Sequence, residues 1–358
     1  MKTPVAVSVV MPVRNGLPYL DQAIESILGQ SFGDFEFVIL DDASSDGSWD
    51  RLLWWAAQDR RIRLDRSEQH LGPALSSQRV CSLATAPLLA RQDADDVSMP
   101  GRLQRQVDAF RCFPDAALVG TLFETTDADG RLVRPRDRSR LLRPSLFNPF
   151  PHGNVMMSRQ VFLECGGYSE ECAFWEDQDL FIRMASLGRV LVLLDSFYQF
   201  RIHLSSGRCE VPPDQFAEIC SRSTRMLANR FKASQGRGPL DCESQVDCQA
   251  IYTTLIHHFW MGRRPGMLQK LWRYRVFPKT LYAFCIWIFA LLAELHPVCL
   301  RASVSRWVWL KDRLASRQMS GFDALELSYP WGSRKAVGRR VPAGIMLSDF
   351  SSVASQAD

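Results

Sequence analysis

Asp93-Ala94-Asp95-Asp96 sets three carboxylates within four positions, two residues after the apolar run Ala86-Pro87-Leu88-Leu89-Ala90. Carboxylates that close repel one another, and a hard divalent cation relieves the repulsion. Mg²⁺ and Mn²⁺ take oxygen ligands and commonly share them with a substrate's phosphates. An acidic turn capping a helix is the other reading, because Pro100 follows and Asp is favoured before a helix. Two further acidic pairs stand in similar settings. Asp41-Asp42 ends the apolar run Phe35 to Leu40, and Glu176-Asp177 opens a helical pattern. A carboxylate beside a metal-bound leaving group can act as a general base. In the first turn of a helix it also gains from the helix dipole.

The elements around these residues follow an alternating pattern. Val5 to Met11 is short, apolar and β-branched, as a buried parallel strand is, and Pro12 is expected to end it. A helix is expected from about Leu17 to Gly29, with Leu20, Ala23, Ile24, Ile27 and Leu28 on one face. Strands at 35–40 and 62–64, a helix near Trp49, a helix over 74–84 and a strand at 88–90 complete a β-α-β-α-β-α-β series. Such a series forms a parallel sheet with right-handed crossovers. Ligands bind beyond the carboxyl ends of its strands. Pro12, Asp41-Asp42 and Asp93-Asp95 therefore converge on one edge. Further along, Ala116 to Leu122 reads as a strand, and Asp127-Ala128-Asp129-Gly130 as a hairpin turn. Residues 135–151 read as a loop, Val155 to Met157 as strand-like, and Arg159 to Gly166-Gly167 as a helix. Val190 to Leu194 and Ser196 to Phe200 read as two last short strands.

The 358 residues can hold one large domain with appendages, and 46% hydrophobic with 23% charged residues is a globular composition. A net charge of +4 is too small to argue for nucleic acid as a partner. Ten cysteines show no paired C-x-x-C zinc spacing, and Met1-Lys2-Thr3-Pro4 leads straight into a strand-like run. Reduced thiols in a cytosolic compartment are expected.

In order and spacing over residues 5–207, the motifs resemble those of family 2 glycosyltransferases. The matching residues are Val9-Val10-Met11-Pro12-Val13-Arg14-Asn15-Gly16, Asp41-Asp42-Ala43-Ser44-Ser45-Asp46-Gly47-Ser48, and Asp93-Ala94-Asp95-Asp96 with Pro100 and Arg102. His152, Gly166-Gly167-Tyr168, Trp175-Glu176-Asp177-Gln178-Asp179-Leu180 and Tyr198-Gln199-Phe200-Arg201-Ile202-His203 complete the set. The resemblance implies an α/β GT-A fold, Rossmann-like, with a mostly parallel sheet flanked by helices. It implies inverting transfer of a sugar from a nucleotide-diphosphate donor, with a UDP-sugar favoured and Mn²⁺ or Mg²⁺ as cofactor. The acceptor would be a hydroxyl of a glycan or a lipid-linked glycan, in surface polysaccharide synthesis.

The same resemblance assigns roles. Asp42 would accept from a base N–H, with Pro12, Arg14 and Asp41 around it. Asp93 would contact ribose or metal, Asp95 would ligate the metal, and Asp96 would hold the loop or the donor sugar, or cap the helix. His203 would close the metal site, Arg201 would pair with the diphosphate, and His152 would lie near donor sugar or acceptor. Asp177 would be the base, with Glu176 orienting it or binding the acceptor. Arg14 stands where relatives often carry an aromatic. His70, before Leu71-Gly72, stands for an Asn, and Gln78 and Val80 stand for an Asn and a Gly. These departures surround the donor pocket.

The chain is expected to divide into a catalytic domain at 1–210, a helical extension at 211–262, basic amphipathic helices at 263–315 and a loosely ordered tail at 316–358. Arg263-Arg264, Lys270, Arg273, Arg275 and Lys279 precede an apolar run of 14 residues from Thr280 to Ala293. That is short of the ~20 residues a spanning helix needs. Basic flanks with Trp307 and Trp309 suit peripheral contact with an anionic leaflet, hence a place at the cytoplasmic face of a membrane. A buried or dimer helix is the alternative for this segment, and a single span a further one. Two rival functions compete with this one. A nucleotidyltransferase normally carries a Gly-rich basic loop after its first strand, and residues 11–16 have one Gly and one Arg. A non-catalytic membrane-associated partner would have no need of Asp93, Asp95, Asp177 and His203.

Overall fold

The computed structural model describes residues 5–134, 136, 150–171, 175–203, 313, 324–328 and 332–337. The helical extension expected at 211–262 and the basic segment expected at 263–315, the run at 280–300 included, lie outside the described residues apart from Arg313.

The first half winds as the hydrophobic pattern dictates. Strand β1 (Val7–Val13) pairs in parallel with β2 (Phe35–Asp42) on one side and β4 (Leu88–Arg91) on the other, and β3 (Ile62–Ser67) adds beyond β2. Helices α1 (Leu20–Leu28), α2 (Ser48–Gln58) and α3 (Pro73–Ser82) make the crossovers. Successive residues of β1 point to opposite faces. Val7, Val9, Met11 and Val13 pack with Leu20, Ala23, Ile24 and Ile27 of α1, and with Leu103 and Val107 of α4 (Arg102–Cys112). Val10 packs with Val80 and Cys81 of α3 and joins the core on the other face.

The second half makes the sheet mixed. β5 (Val97–Ser98), β6 (Ala116–Thr126), β7 (Leu132–Arg134), β8 (Met156–Ser158) and β9 (Arg189–Arg201) follow, with α5 (Arg159–Glu164) and α6 (Glu176–Ala185). β8 lies antiparallel between β4 and β6, and β6 pairs in parallel with β9. Among the described residues the main strand order is β11-β10-β9-β6-β8-β4-β1-β2-β3.

Three expectations change in detail. Pro12 does not end β1. It pairs in register with Leu40, while pairing with β4 stops at Val10, so no strand on that side needs the N–H that Pro12 lacks. The two short strands expected at 190–200 are one strand. A bulge takes up Leu194 and Asp195, because Thr121 pairs with Leu193 and Leu122 with Ser196. Inside the stretch expected as a loose tail, β10 (Ala324–Ser328) pairs antiparallel with β9, and β11 (Gly332–Val337) pairs with β10.

One polar cluster ties the first crossovers together. Glu36 on β2 accepts from the Ser8 hydroxyl at 2.6 Å, the Thr85 N–H at 2.8 Å and the Thr85 hydroxyl at 2.7 Å, and pairs with Arg63. Burial pushes its carboxyl up. The hydrogen bonds from Ser8, Thr85 and Arg63 together outweigh burial and bring it from the ordinary 4.5 down to about 2. Its stabilisation is therefore present above the unfolded value and lost as pH falls from 4.5 through 2. Glu36→Gln is expected to lower unfolding free energy by about 2 kcal/mol at neutral pH, and the gap to wild type should narrow below pH 4.5 and close only near pH 2. Urea unfolding at a series of pH values measures it.

Candidate functional site

The carboxyl ends of β1, β2 and β4 and the end of β9 meet at one edge of the sheet. β9 reaches that edge because its last residues pair with β5, directly after the acidic turn, with Val97 opposite Gln199. Arg201 and His203 thereby stand against residues more than a hundred positions earlier. Nε2 of His203 is 2.9 Å from Oδ2 of Asp95. The imidazole is buried, the Asp95 side chain is 33% exposed, and the ring of Tyr19 lies 4.5 Å from that of His203.

Asp93 sits beside them. Its Oδ1 is 2.9 Å from Nη2 of the buried Arg91. With 24% of the side chain facing solvent, close packing still pushes its carboxyl up. Arg91 opposes the shift, Asp95 and Asp177 add to it, and the Gly153 N–H again opposes it. The acidic turn and the start of α6 are thus in electrostatic reach of one another. Asp96 is buried and accepts the Arg201 N–H at 2.7 Å. Burial first, then Asp95 and Asp93, hold its carboxyl well above the usual range.

Glu176 and Asp177 are buried in the first turn of α6, and Oδ1 of Asp177 accepts the Gln178 N–H at 2.7 Å. His152 opens a single 3₁₀ turn, His152–Asn154, and its Nε2 is 2.6 Å from the Tyr168 hydroxyl. Gln78, one of the departures, accepts the Tyr168 N–H at 2.8 Å and so holds the Gly166-Gly167-Tyr168 turn. Gly153 has to be glycine. A Cβ there would collide with the Tyr198 hydroxyl and come within 2.7 Å of Oδ2 of Asp93.

Arg201 is placed differently from a diphosphate partner waiting in solvent. It is 5% exposed. Nε donates to the Asp95 carbonyl at 2.8 Å, Nη1 to the Ala128 carbonyl at 3.1 Å, and Nη2 to Gln22, while the guanidinium lies over Tyr19 at 4.6 Å. It clamps the acidic turn from within the protein.

Asp41, Asp42 and Arg14 form a second group at the ends of β1 and β2. Asp41 is buried against Arg66 at 3.1 Å. Asp42 accepts the Leu71 N–H at 2.7 Å and the Gly72 N–H at 3.1 Å, with His70 Nδ1 2.9 Å away. Arg14 is exposed and donates through Nη1 to the carbonyls of Asp42 at 3.0 Å and Ala43 at 3.2 Å. Pro12 is half-buried beside it.

Among the described residues no group of three or more His, Cys, Asp or Glu side chains is gathered for a metal. Asp95 with His203 supplies one carboxylate and one imidazole. That pair suits a divalent ion which draws its other ligands from phosphate and water.

The profile described as Glycosyl transferase family 2 matches residues 8–169. EpsE of Bacillus subtilis (strain 168), named as a glycosyltransferase, is 33% identical over 205 residues, 54% of this chain and 72% of that protein. The chain belongs to glycosyl transferase family 2. It is a glycosyltransferase. The O-antigen biosynthesis glycosyltransferase WbnJ of Escherichia coli is 29% identical over 190 residues, 50% of this chain and 71% of that one. Among solved structures, S. aureus TarS 1-349 in complex with UDP-GlcNAc aligns with a TM-score of 0.52 at 18% identity, covering 95% of this chain and 100% of that one. The mannosyltransferase PcManGT from Pyrobaculum calidifontis, in complex with GDP-Man and Mn²⁺, aligns at 0.50 and 17% identity, covering 89% of each chain. At these identities the likeness shows the GT-A fold.

Arg91, Arg102 and Tyr198 also shape this glycosyltransferase's site, and nothing in the sequence alone assigns them a role there. Arg102 has no exposed surface. It donates to the Arg91 carbonyl at 2.7 Å, the Ser98 hydroxyl at 2.7 Å, Gln92 at 3.2 Å, Gln106 at 3.2 Å and the Val155 carbonyl at 3.3 Å. Burial brings its guanidinium down to about 10. A fork fits these acceptors and an ammonium does not. Arg102→Lys is expected to cost about 2–4 kcal/mol of unfolding free energy, read by chemical denaturation.

Proposed function

We propose that this glycosyltransferase moves a sugar, with inversion, from a nucleotide-diphosphate donor to a hydroxyl of a glycan or lipid-linked acceptor, with Mn²⁺ or Mg²⁺ bound at Asp95 and His203. The carrying observation is the 2.9 Å approach of Asp95 and His203 across 108 residues of sequence, beside the Asp93–Arg91 pair. A UDP-sugar is the favoured donor. Bound there, the metal would neutralise the charge that builds on the departing diphosphate.

The residues around it have distinct tasks. Asp93 faces ribose or metal and is held by Arg91. Asp177 accepts the acceptor's hydroxyl proton as that oxygen bonds to the anomeric carbon and the bond to the diphosphate breaks. Glu176 lies next to it and orients it or binds the acceptor. His152, fixed by Tyr168, borders the donor sugar or acceptor. Relatives named for O-antigen and teichuronic acid biosynthesis support a place in surface polysaccharide synthesis.

Residues 1–210 make the catalytic unit, with β10 and β11 added to its sheet edge. The 211–262 segment is an extension, and the basic 263–315 segment contacts the cytoplasmic face of a membrane. Among the described residues no helix is long and apolar enough to cross one.

Two measurements test this. Thermal-shift titration with UDP and Mn²⁺ should raise Tm in wild type, and Asp95→Ala should abolish the Mn²⁺-dependent part. Asp177→Asn should keep that shift while transfer falls by about 10²–10⁴-fold. Undiminished transfer by Asp177→Asn would remove the base from this position.

A further inference from the structure

Asp42 ends β2 where the base of a nucleotide donor was expected to meet a carboxylate. In the structure that carboxylate is already engaged. Oδ1 accepts the Leu71 N–H, and Oδ2 accepts the Gly72 N–H and faces Nδ1 of His70. Its side chain is 4% exposed, whereas that of His70 is 49% exposed. An ionised carboxylate only accepts, so Nδ1 carries the hydrogen in this contact. In the singly protonated ring the other nitrogen, Nε2, is then an acceptor. Among the described residues His70 makes no other hydrogen bond. Arg14 is anchored on the same residue through the Asp42 carbonyl. Only Nη1 is used, so N–H groups remain on an exposed guanidinium.

We propose that His70 reads the donor's base in this chain, with Arg14 beside it, and that Asp42 is a positioning residue behind them. The proposal rests on the nucleotide-donor reading above. The chemistry selects an imide base such as uracil. Its ring N–H meets the Nε2 lone pair, and the neighbouring carbonyl oxygen, where cytosine carries an amino group, accepts from Arg14. Cytosine is the same size but places a bare ring nitrogen there, lone pair against lone pair. Two positions that depart from the family pattern, His70 and Arg14, thus act together. Asp42 sets which ring nitrogen carries the hydrogen.

Calorimetric titration of the full chain with UDP and CDP, each with Mn²⁺, tests this. Wild type should bind UDP roughly ten times more tightly than CDP. His70→Ala should bring UDP binding down to about the CDP level and leave CDP unchanged. His70→Gln, whose amide oxygen supplies an acceptor, should restore part of the preference. Asp42→Asn should shrink the UDP preference without weakening CDP, a split that general loss of structure does not produce. If His70→Ala is misfolded, Arg14→Ala decides: a loss confined to UDP supports the proposal, and an equal loss for both overturns it. Equal binding of UDP and CDP by wild type, or an unchanged ratio in His70→Ala, overturns the assignment and leaves the nucleotide site standing. No binding of either by wild type overturns the donor reading, and this proposal with it.

Discussion

Arg102 carries a charge into the interior and surrounds it with neutral oxygens. Two backbone carbonyls, a hydroxyl and two side-chain amides take its hydrogen bonds, and the ring of Tyr198 lies 5.2 Å from its guanidinium carbon. A guanidinium placed there without those acceptors would be too costly to bury. The dependence runs both ways. The acceptors belong to the end of β4, to β5 and to the segment just after the His152–Asn154 turn. Gln106, one turn further along α4, donates to the carbonyls of Val119 and Asn154. Four separate stretches of chain are thus held at fixed distances by one helix start. The acidic turn spans two of them, so its carboxylates stay close despite their repulsion.

Around that anchor the edge is built from loops that fasten each other. Asn15 N–H donates to the Ser44 hydroxyl, Gly16 N–H to the Ser48 hydroxyl, Leu17 N–H to Asp46, and Ser45 N–H back to Asn15. Backbone donors in the turn ahead of α1 are satisfied by side chains of the loop before α2 and of its first residue, which leaves little freedom in either. Arg201 performs the same service for the turn between β6 and β7 through the Ala128 carbonyl. Rigid loops on a rigid sheet suit a reaction whose catalysis is mostly positioning.

The first four strands and the edge they share were legible because burial writes itself into hydrophobic period. Val7 to Leu40 reads as strand, helix, strand, and the structure differs only in where elements start and stop. The acidic turn was legible because three Asp after a buried run have few explanations. Arg91, Arg102 and Tyr198 were not legible as parts of the site, because a charged or phenolic residue in sequence gives no sign of being buried. Their partners are long-range. The acceptors of Arg201 are long-range in the same way: nothing near it in sequence shows that its guanidinium donates to the carbonyls of Asp95 and Ala128. The bulge at Leu194-Asp195 was also hidden, because an Asp in an apolar run reads as a break. Strands β10 and β11 have sequences too mixed to announce themselves, and their pairing is fixed by β9, far earlier in the chain.

That last pairing has a bearing on how the protein is made. The outer edge of β9 at Val190–Leu193 is covered by Leu327–Ala324, about 120 residues later than the end of β9. At ~5–20 residues per second a ribosome needs on the order of ten seconds to supply them. Through that interval the nascent sheet presents an uncovered row of N–H and C=O groups to its surroundings. The last-made described strands are therefore a seal, and a polypeptide cut short before residue 324 would leave synthesis with its sheet edge still open.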